Sequence, residues 1–351
     1  MPGLKLLVLS ARDVRELLPY GECADLVAGA LAALARGEIY QPLRTMVTPP
    51  APQGSPAPGL MALMPSIRTG PARSGPARSG GDAAYSLKAI CIFPANPALG
   101  KDAHQGVVLL SSPDTGEPQA VINASALTEI RTAAASVVAT RLLARADVSE
   151  LAIIGTGVQA RAHALGLARD YAARGRPLAR IRIAGRTPGR AAAIAGELTA
   201  AAGVPVTACG SAAEAVAGAG LVVTATSSAT PVLERAWLAE GTHINAVGAC
   251  LPHQRELDSA TMAAAAVFAD SRESALAESG DVRLAIAEHA VPPVHIRAEI
   301  GELLSGTALG RASDREITVF ESLGLAAEDL AAAQGVYRNA VRAGAGTWVD
   351  F

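Results

Sequence analysis

"LAIIGTGVQARAHALGL", Leu151 to Leu167, sets an apolar strand against a helix, with two glycines in the turn between them. Gly155, Gly157 and Ala160 form the pattern G-x-G-x-x-A, and each small residue has its own task. Gly155 permits the tight turn, Gly157 lets a pyrophosphate approach the backbone, and Ala160 allows the helix to pack closely on the strand. The N-terminal end of that helix favours an anion, because its N–H groups are unsatisfied and its dipole is positive there. Alone, the pattern is weak. Here a strand precedes it and a helix follows within a βαβ unit, so it predicts a dinucleotide site rather than a merely structural glycine turn.

The next strand, "ARIRIAGRTPGRA" from Ala179 to Ala191, bears on which dinucleotide binds. An acid at its end would accept hydrogen bonds from the ribose 2′-hydroxyl of NAD, and none is present. Gly185, Arg186, Thr187 and Arg190 occupy that corner instead and supply cationic and hydroxyl donors suited to a 2′-phosphate. NADP(H) is therefore expected to be preferred over NAD(H).

Outward from this turn, from about Leu151, short β-type runs alternate with helical ones: "LAIIG", "ARIRIAG", "VPVTACG", "LVVTAT", "THINAVG" and "AVFAD". That rhythm predicts a parallel sheet wrapped by helices. Before Ala124 the pattern changes. "EIYQPLRTMVTP", "GLMALMPS", "AYSLKAICIFP" and "QGVVLLSS" read as strands joined by Pro- and Gly-rich turns, including "PDTGEP" at Pro113–Pro118, which predicts a mainly antiparallel sheet. "INASALTEIRTAAASVVATRLLARA", from Ile122, is a strong helix of small and apolar residues joining the two architectures. The tandem "GPARS" at Gly70–Ser74 and Gly75–Ser79 is read as a loop without assigned function.

With 351 residues, half of them apolar, the chain can bury one large core or two modest ones. Thirty basic and thirty-two acidic residues give 30 − 32 = −2, with no block of like charge to track a phosphate backbone or a lipid surface. No segment approaches the roughly eighteen uninterrupted apolar residues of a membrane span. No nucleic-acid partner, no membrane and a cytoplasmic location are the expectations. Cys23, Cys91, Cys209 and Cys250 form no C-x-x-C pair, so neither a metal site nor a disulfide framework is expected.

Several stretches together resemble the ornithine cyclodeaminase/μ-crystallin family: "SLKAICIFPANPALGKDAHQGVVLLSS", "EIRTAAAS", "IIGTGVQARAH", "INAVGACLPHQRELD", "DSRESALAESGDV" and "REITVFESLGLAAEDLAAA". They occur in the family's order from roughly Arg44 to Tyr337. The resemblance implies an α/β protein: a Rossmann dinucleotide-binding domain at 128–314, plus an α+β N-terminal dimerisation and substrate domain, 1–127, completed by the C-terminal helix in 315–351. It also implies a homodimer acting on a small imino or amino acid. The family's substrate-binding positions fall on Arg44 in "PLRT", Lys88 in "SLKA" and Arg131 in "EIRTAA", and its loop beside the substrate falls on His104. Thr132, Thr156, Val158, Gln159, Thr226, Ser227, Val247 and Gly248 join the glycines and the Arg186 corner as expected cofactor contacts.

The residues support these positions unevenly. Lys88 shares a strand face with Ile90 and Ile92, an expensive place for an ammonium group unless an anion or a partner meets it. Arg44, alternating with Met46 and Thr48, also fits an edge-strand surface charge, and Arg131, in an alanine-rich helix, also fits a side chain snorkelling to water. Two guanidinium groups and an ammonium suit a carboxylate. Cys250 stands where cyclodeaminase-like members resemble an aspartate, "GAD". A carboxyl with a pKa near ~4 is a charged acceptor at neutral pH, whereas a thiol near ~8.5 is mostly neutral. Cys250 is therefore expected to be a neutral wall of the pocket, with a catalytic thiolate as the alternative.

The leading expectation is NADPH-dependent reduction of an α-imino acid, a ketimine or a cyclic imine such as Δ1-pyrroline-2-carboxylate, to an L-amino acid. An alanine-type amino acid dehydrogenase comes next, then an ornithine cyclodeaminase, and then a non-enzymatic NADPH-dependent small-ligand binder.

Overall fold

A computed structural model describes residues 4–50, 59–69 and 83–351, so the "GPARS" repeat lies outside the described residues. Two compact units emerge: residues 1–131 with 325–351, and residues 132–324. In the first unit β1 (Lys5–Leu9) leads into α1 (Ala11–Leu17) and α2 (Tyr20–Ala35). Then come β2 (Ile39–Tyr40), β3 (Thr45–Val47), β4 (Leu60–Arg68), β5 (Ala84–Ile92), β6 (His104–Ser111) and β7 (Pro118–Asn123). α3 (Ala124–Leu143) carries the chain into the second unit.

The second unit contains β8 (Glu150–Ile154), α4 (Val158–Ala173), β9 (Arg180–Ala184), α5 (Pro188–Ala202), β10 (Val206–Ala208), α6 (Ala212–Val216), β11 (Leu221–Thr224) and β12 (His243–Ala246). It continues with α7 (Ser259–Ala264), β13 (Ala266–Ala269), α8 (Arg272–Glu278), α9 (Gly280–Ala287), β14 (Ile296–Glu299), α10 (Ile300–Leu304) and β15 (Thr318–Glu321). α11 (Ala326–Ala343) and β16 (Thr347–Asp350) return to the first unit.

The first unit's sheet runs β16-β1-β7-β6-β5-β4-β2, with β3 also on β4. It is antiparallel except where β1 pairs with β7. Along β5 every second residue, Ala84, Ser86, Lys88 and Ile90, is buried, the period-2 signature of a sheet with one covered face. α11 covers that face, and α2 packs on α11 so closely that a Cβ at Gly335 would strike Leu26. The strand expected across "EIYQPLRTMVTP" is two short ones, because Pro42 has no N–H to give a ladder and the chain leaves the sheet between Tyr40 and Thr45.

All eight strands of the second unit are parallel, in the order β10-β9-β8-β11-β12-β15-β13-β14. Strands β11, β12, β13 and β15 are buried at every position, as a sheet covered on both faces requires. Residues 315–324 were expected with the first unit, but β15 inserts between β12 and β13, so the crossing back falls after Gly324.

Candidate active site

In the first unit the expected substrate residues meet at the covered face of the sheet. β5 points Lys88 inward, where the residue is 2% exposed and its ammonium lies 2.8 Å from Oδ2 of Asp329 on α11. The other oxygen, Oδ1, accepts from Nε of Arg131 at 3.0 Å, and Nη1 of Arg131 donates to Glu328 at 2.7 Å. Arg131 is 5% exposed, so it does not snorkel to water. The partner that a mid-strand ammonium demands is thus a protein carboxylate. Glu328 and Asp329, missed in the sequence reading, open α11 in "LAAEDLAAA", where the only signal is a pair of acids inside an alanine run.

Burial is the main influence on the cluster. Desolvation pushes the Lys88 ammonium down to about 8, against the pull of Asp329, while Arg131 and Arg44 push it further down. His104, at the start of β6, is lowered to about 4, first by burial and then by Lys88 and Arg131, so it is a neutral imidazole at physiological pH. Arg44 is half-buried in the loop before β3 rather than within an edge strand. Lys88 therefore lies within electrostatic reach of Arg131, His104 and Arg44, an arrangement suited to an anionic ligand.

In the second unit the glycine turn has the geometry its sequence demands. Gly155 has φ of 138°, and a Cβ there would collide with the carbonyl of Ala225, so only glycine fits. Gly157 caps α4, and a Cβ on it would meet open space, which leaves room for a phosphate against the helix N-terminus. Ala160 is fully buried at the helix–strand contact. Val158 is exposed and Gln159 half-buried in the first turn of α4, and Thr132 is buried in α3. Beyond β9, a Cβ at Gly185 would meet the Thr156 methyl group at 2.6 Å, so the turn and the ribose corner touch. Arg186, Thr187 and Arg190 are exposed around the start of α5, with no acid among them. These residues and the glycine turn fit a dinucleotide.

Thr226, Ser227, Val247 and Gly248 follow β11 and β12 at the carboxyl edge of the sheet, where doubly wound folds bind ligands. One buried carboxylate joins these loops: Glu256 accepts from Thr226 N–H at 2.6 Å and from Gly248 N–H at 2.7 Å. Two residues beyond Gly248, half-buried Cys250 donates its thiol proton to Val247 O at 3.2 Å, the use of a neutral thiol. His253 is exposed. All four cysteines are free thiols, and no cluster of three or more metal-ligating side chains exists among the described residues. Glu256 and its anchor Asp281 also went unread; each is one of two acids in its short stretch, "QRELD" and "ESGDV", and nothing local singles it out.

Fold and glycine turn together define a Rossmann-type dinucleotide-binding protein, and its similarity to named reductases makes it a nicotinamide-dependent oxidoreductase. The chain belongs to the ornithine cyclodeaminase/mu-crystallin family, whose profile matches residues 5–344. It is 37% identical over 349 residues to a Delta(1)-pyrroline-2-carboxylate reductase of Bacillus cereus, covering 99% of this chain and 100% of that one. Among solved structures it is similar to Thermococcus litoralis Delta(1)-pyrroline-2-carboxylate reductase in complex with NADH and L-proline. That match has a TM-score of 0.87 and 33% identity, over 97% and 99% of the two chains. An archaeal alanine dehydrogenase dimer with bound NAD superposes with a TM-score of 0.86 at 29% identity, over 99% and 100%.

Proposed function

We propose that this protein reduces the C=N bond of a small α-imino acid, cyclic or acyclic, to give an L-amino acid, with NADPH preferred to NADH, and that it works as a homodimer. The observation that carries this reading is Lys88: a desolvated ammonium tied through Asp329 to Arg131, with Arg44 and neutral His104 close by. Such a cluster binds and orients a substrate carboxylate, and orientation supplies much of the rate of a hydride transfer. When bound, a reduced nicotinamide would supply the hydride for the imine carbon. The 37% identity to a Delta(1)-pyrroline-2-carboxylate reductase supports the imino acid class, and the Arg186, Thr187 and Arg190 corner supports NADPH.

Cys250 supports reduction over cyclodeamination. Its thiol is spent on a backbone carbonyl, whereas expelling ammonia from an oxidised amine calls for a charged acceptor. The similarity to an alanine dehydrogenase keeps one second reading, reductive amination of a 2-oxo acid.

The deciding experiment follows NADPH absorbance with Δ1-pyrroline-2-carboxylate and other cyclic imines, with 2-oxo acids plus ammonia or methylamine, and with ornithine. Fastest turnover on a preformed cyclic or N-methyl imine is expected. Faster turnover with pyruvate and ammonia would move the assignment to the dehydrogenase, and proline formation from ornithine with release of ammonia would refute the reductase reading.

A further inference from the structure

We infer that Glu256 is a positioning residue for the nicotinamide half of the dinucleotide, an inference that rests on the oxidoreductase reading. β11 and β12 are parallel neighbours in which Thr224 pairs with Ala246. Thr226 and Gly248 therefore lie at equivalent points, each two residues beyond its strand. Val247 N–H donates to Thr224 O at 2.9 Å, and one residue on the two chains are still in contact, since a Cβ at Gly248 would collide with Thr226 O. There Oε1 of Glu256 takes Thr226 N–H and Oε2 takes Gly248 N–H. The carboxylate ties the two loops together.

The side chain is fully buried and its main chain is held from two directions. Val232 and Leu233 N–H donate to the Glu256 carbonyl at 2.8 and 3.0 Å, and the N–H groups of Glu256 and Leu257 donate to Oδ1 of Asp281 at 2.7 and 2.9 Å. A Cβ at Gly248 would meet the Glu256 carboxyl carbon at 2.6 Å, so the fit leaves no slack.

A doubly wound sheet binds its dinucleotide as two mononucleotide halves. The Gly155 turn and the Arg186 corner serve the adenosine half, so the loops after β11 and β12 serve the nicotinamide half. Two N–H donors need two acceptor oxygens. Glutamine offers one oxygen and opposes the second N–H with an NH2 group, so an isosteric change breaks one arm of the staple.

The test uses the full chain and isothermal titration calorimetry with two probes: whichever of NADPH and NADH binds more tightly, and its adenosine fragment, 2′,5′-ADP or ADP. In Glu256→Gln the intact dinucleotide should bind about tenfold or more weakly, because a charge-assisted bond is lost. The fragment should bind within about twofold of the unmutated protein. Should that variant not fold, Glu256→Asp keeps the buried charge and shortens the arm, with the same split expected. Equal weakening of both probes, or no change in either, would overturn the inference. If the unmutated protein bound neither dinucleotide, the oxidoreductase reading would fall, and this inference with it.

Discussion

Lys88 carries its charge at a cost set by burial, and pH reads that cost directly. Its folded pKa of about 8 lies below the ordinary lysine value of 10.5, so the native state gives up this proton before the unfolded chain does. The group therefore costs stability below about pH 8, and the cost fades as pH rises from there toward 10.5. For an anionic substrate the sign reverses, because only the ammonium form attracts a carboxylate. We expect kcat/KM for an imino acid to fall above about pH 8, and the limb in kcat to lie higher, since bound carboxylate holds the proton on. In Lys88→Arg, which stays charged, that limb should vanish. A pH profile of kcat/KM that is flat to pH 9.5 in the unmutated protein would contradict this. Removing the cation altogether takes the ion pair from the buried Oδ2 of Asp329, so Lys88→Ala should lose ~2–5 kcal/mol of transition-state binding, about 30- to several-thousand-fold in kcat/KM. Cys250→Ala, altering only a pocket wall, should cost about 1 kcal/mol. Imine reduction that survives the first change and disappears with the second would exchange their roles. Of this residue-scale chemistry, the cations were legible because charge on an apolar strand face demands a partner. Their carboxylates were not, since Asp329 lies 198 residues from Arg131 and nothing local links them.

The backbone geometry of the glycine turn was the most legible part of the chain, and with the corner after β9 it carries the proposed cofactor binding. A G-x-G-x-x-A turn constrains backbone geometry locally, so its reading does not depend on distant partners; Gly155, held at φ 138° beneath the Ala225 carbonyl, bears this out. Gly155→Ala meets both backbone strain and a collision, and should destabilise by several kcal/mol, visible as a lowered Tm. A Tm within about 2 °C of the unmutated protein would show that the turn can relax. Arg186→Ala should raise the NADPH KM about tenfold or more and leave the NADH KM nearly unchanged, because a guanidinium pairs with the 2′-phosphate that NADH lacks. Equal kinetic constants for the two cofactors in the unmutated protein would remove the basis for that difference. Elements whose partners are remote in sequence were harder to read. β16 is four exposed residues that pair only with β1, and β15 takes its place between β12 and β13 by a crossover that no periodicity announces.

For the whole molecule, the telling surface is the outer face of the first unit's sheet. Val8, Val121, Leu109, Leu87 and Pro65 stand opposite one another across five strands, forming an apolar row on the side away from Lys88. Tyr85, Met61 and Val107 flank it, each more than 40% exposed, and α11 covers only the other face. Patterning along β5 made the two faces distinguishable in the sequence, but the extent of the row required the register of all five strands. A half-exposed apolar row with exposed apolar flanks suits a surface that another protein covers. Two copies related by a twofold axis would bury the same row twice, the self-complementary arrangement common among soluble dimers. We therefore expect light scattering at micromolar concentration to give twice the 35.5 kDa chain mass. Leu109→Arg, with Leu87→Arg if one charge is not enough, places guanidinium groups against their own symmetry mates at the centre of the row and should yield a monomer. Both positions face away from the buried core, so Tm should fall only by the loss of the dimer contact, and NADPH binding by the second unit should persist. A monomeric unmutated protein, or a dimer indifferent to both arginines, would place the contact elsewhere.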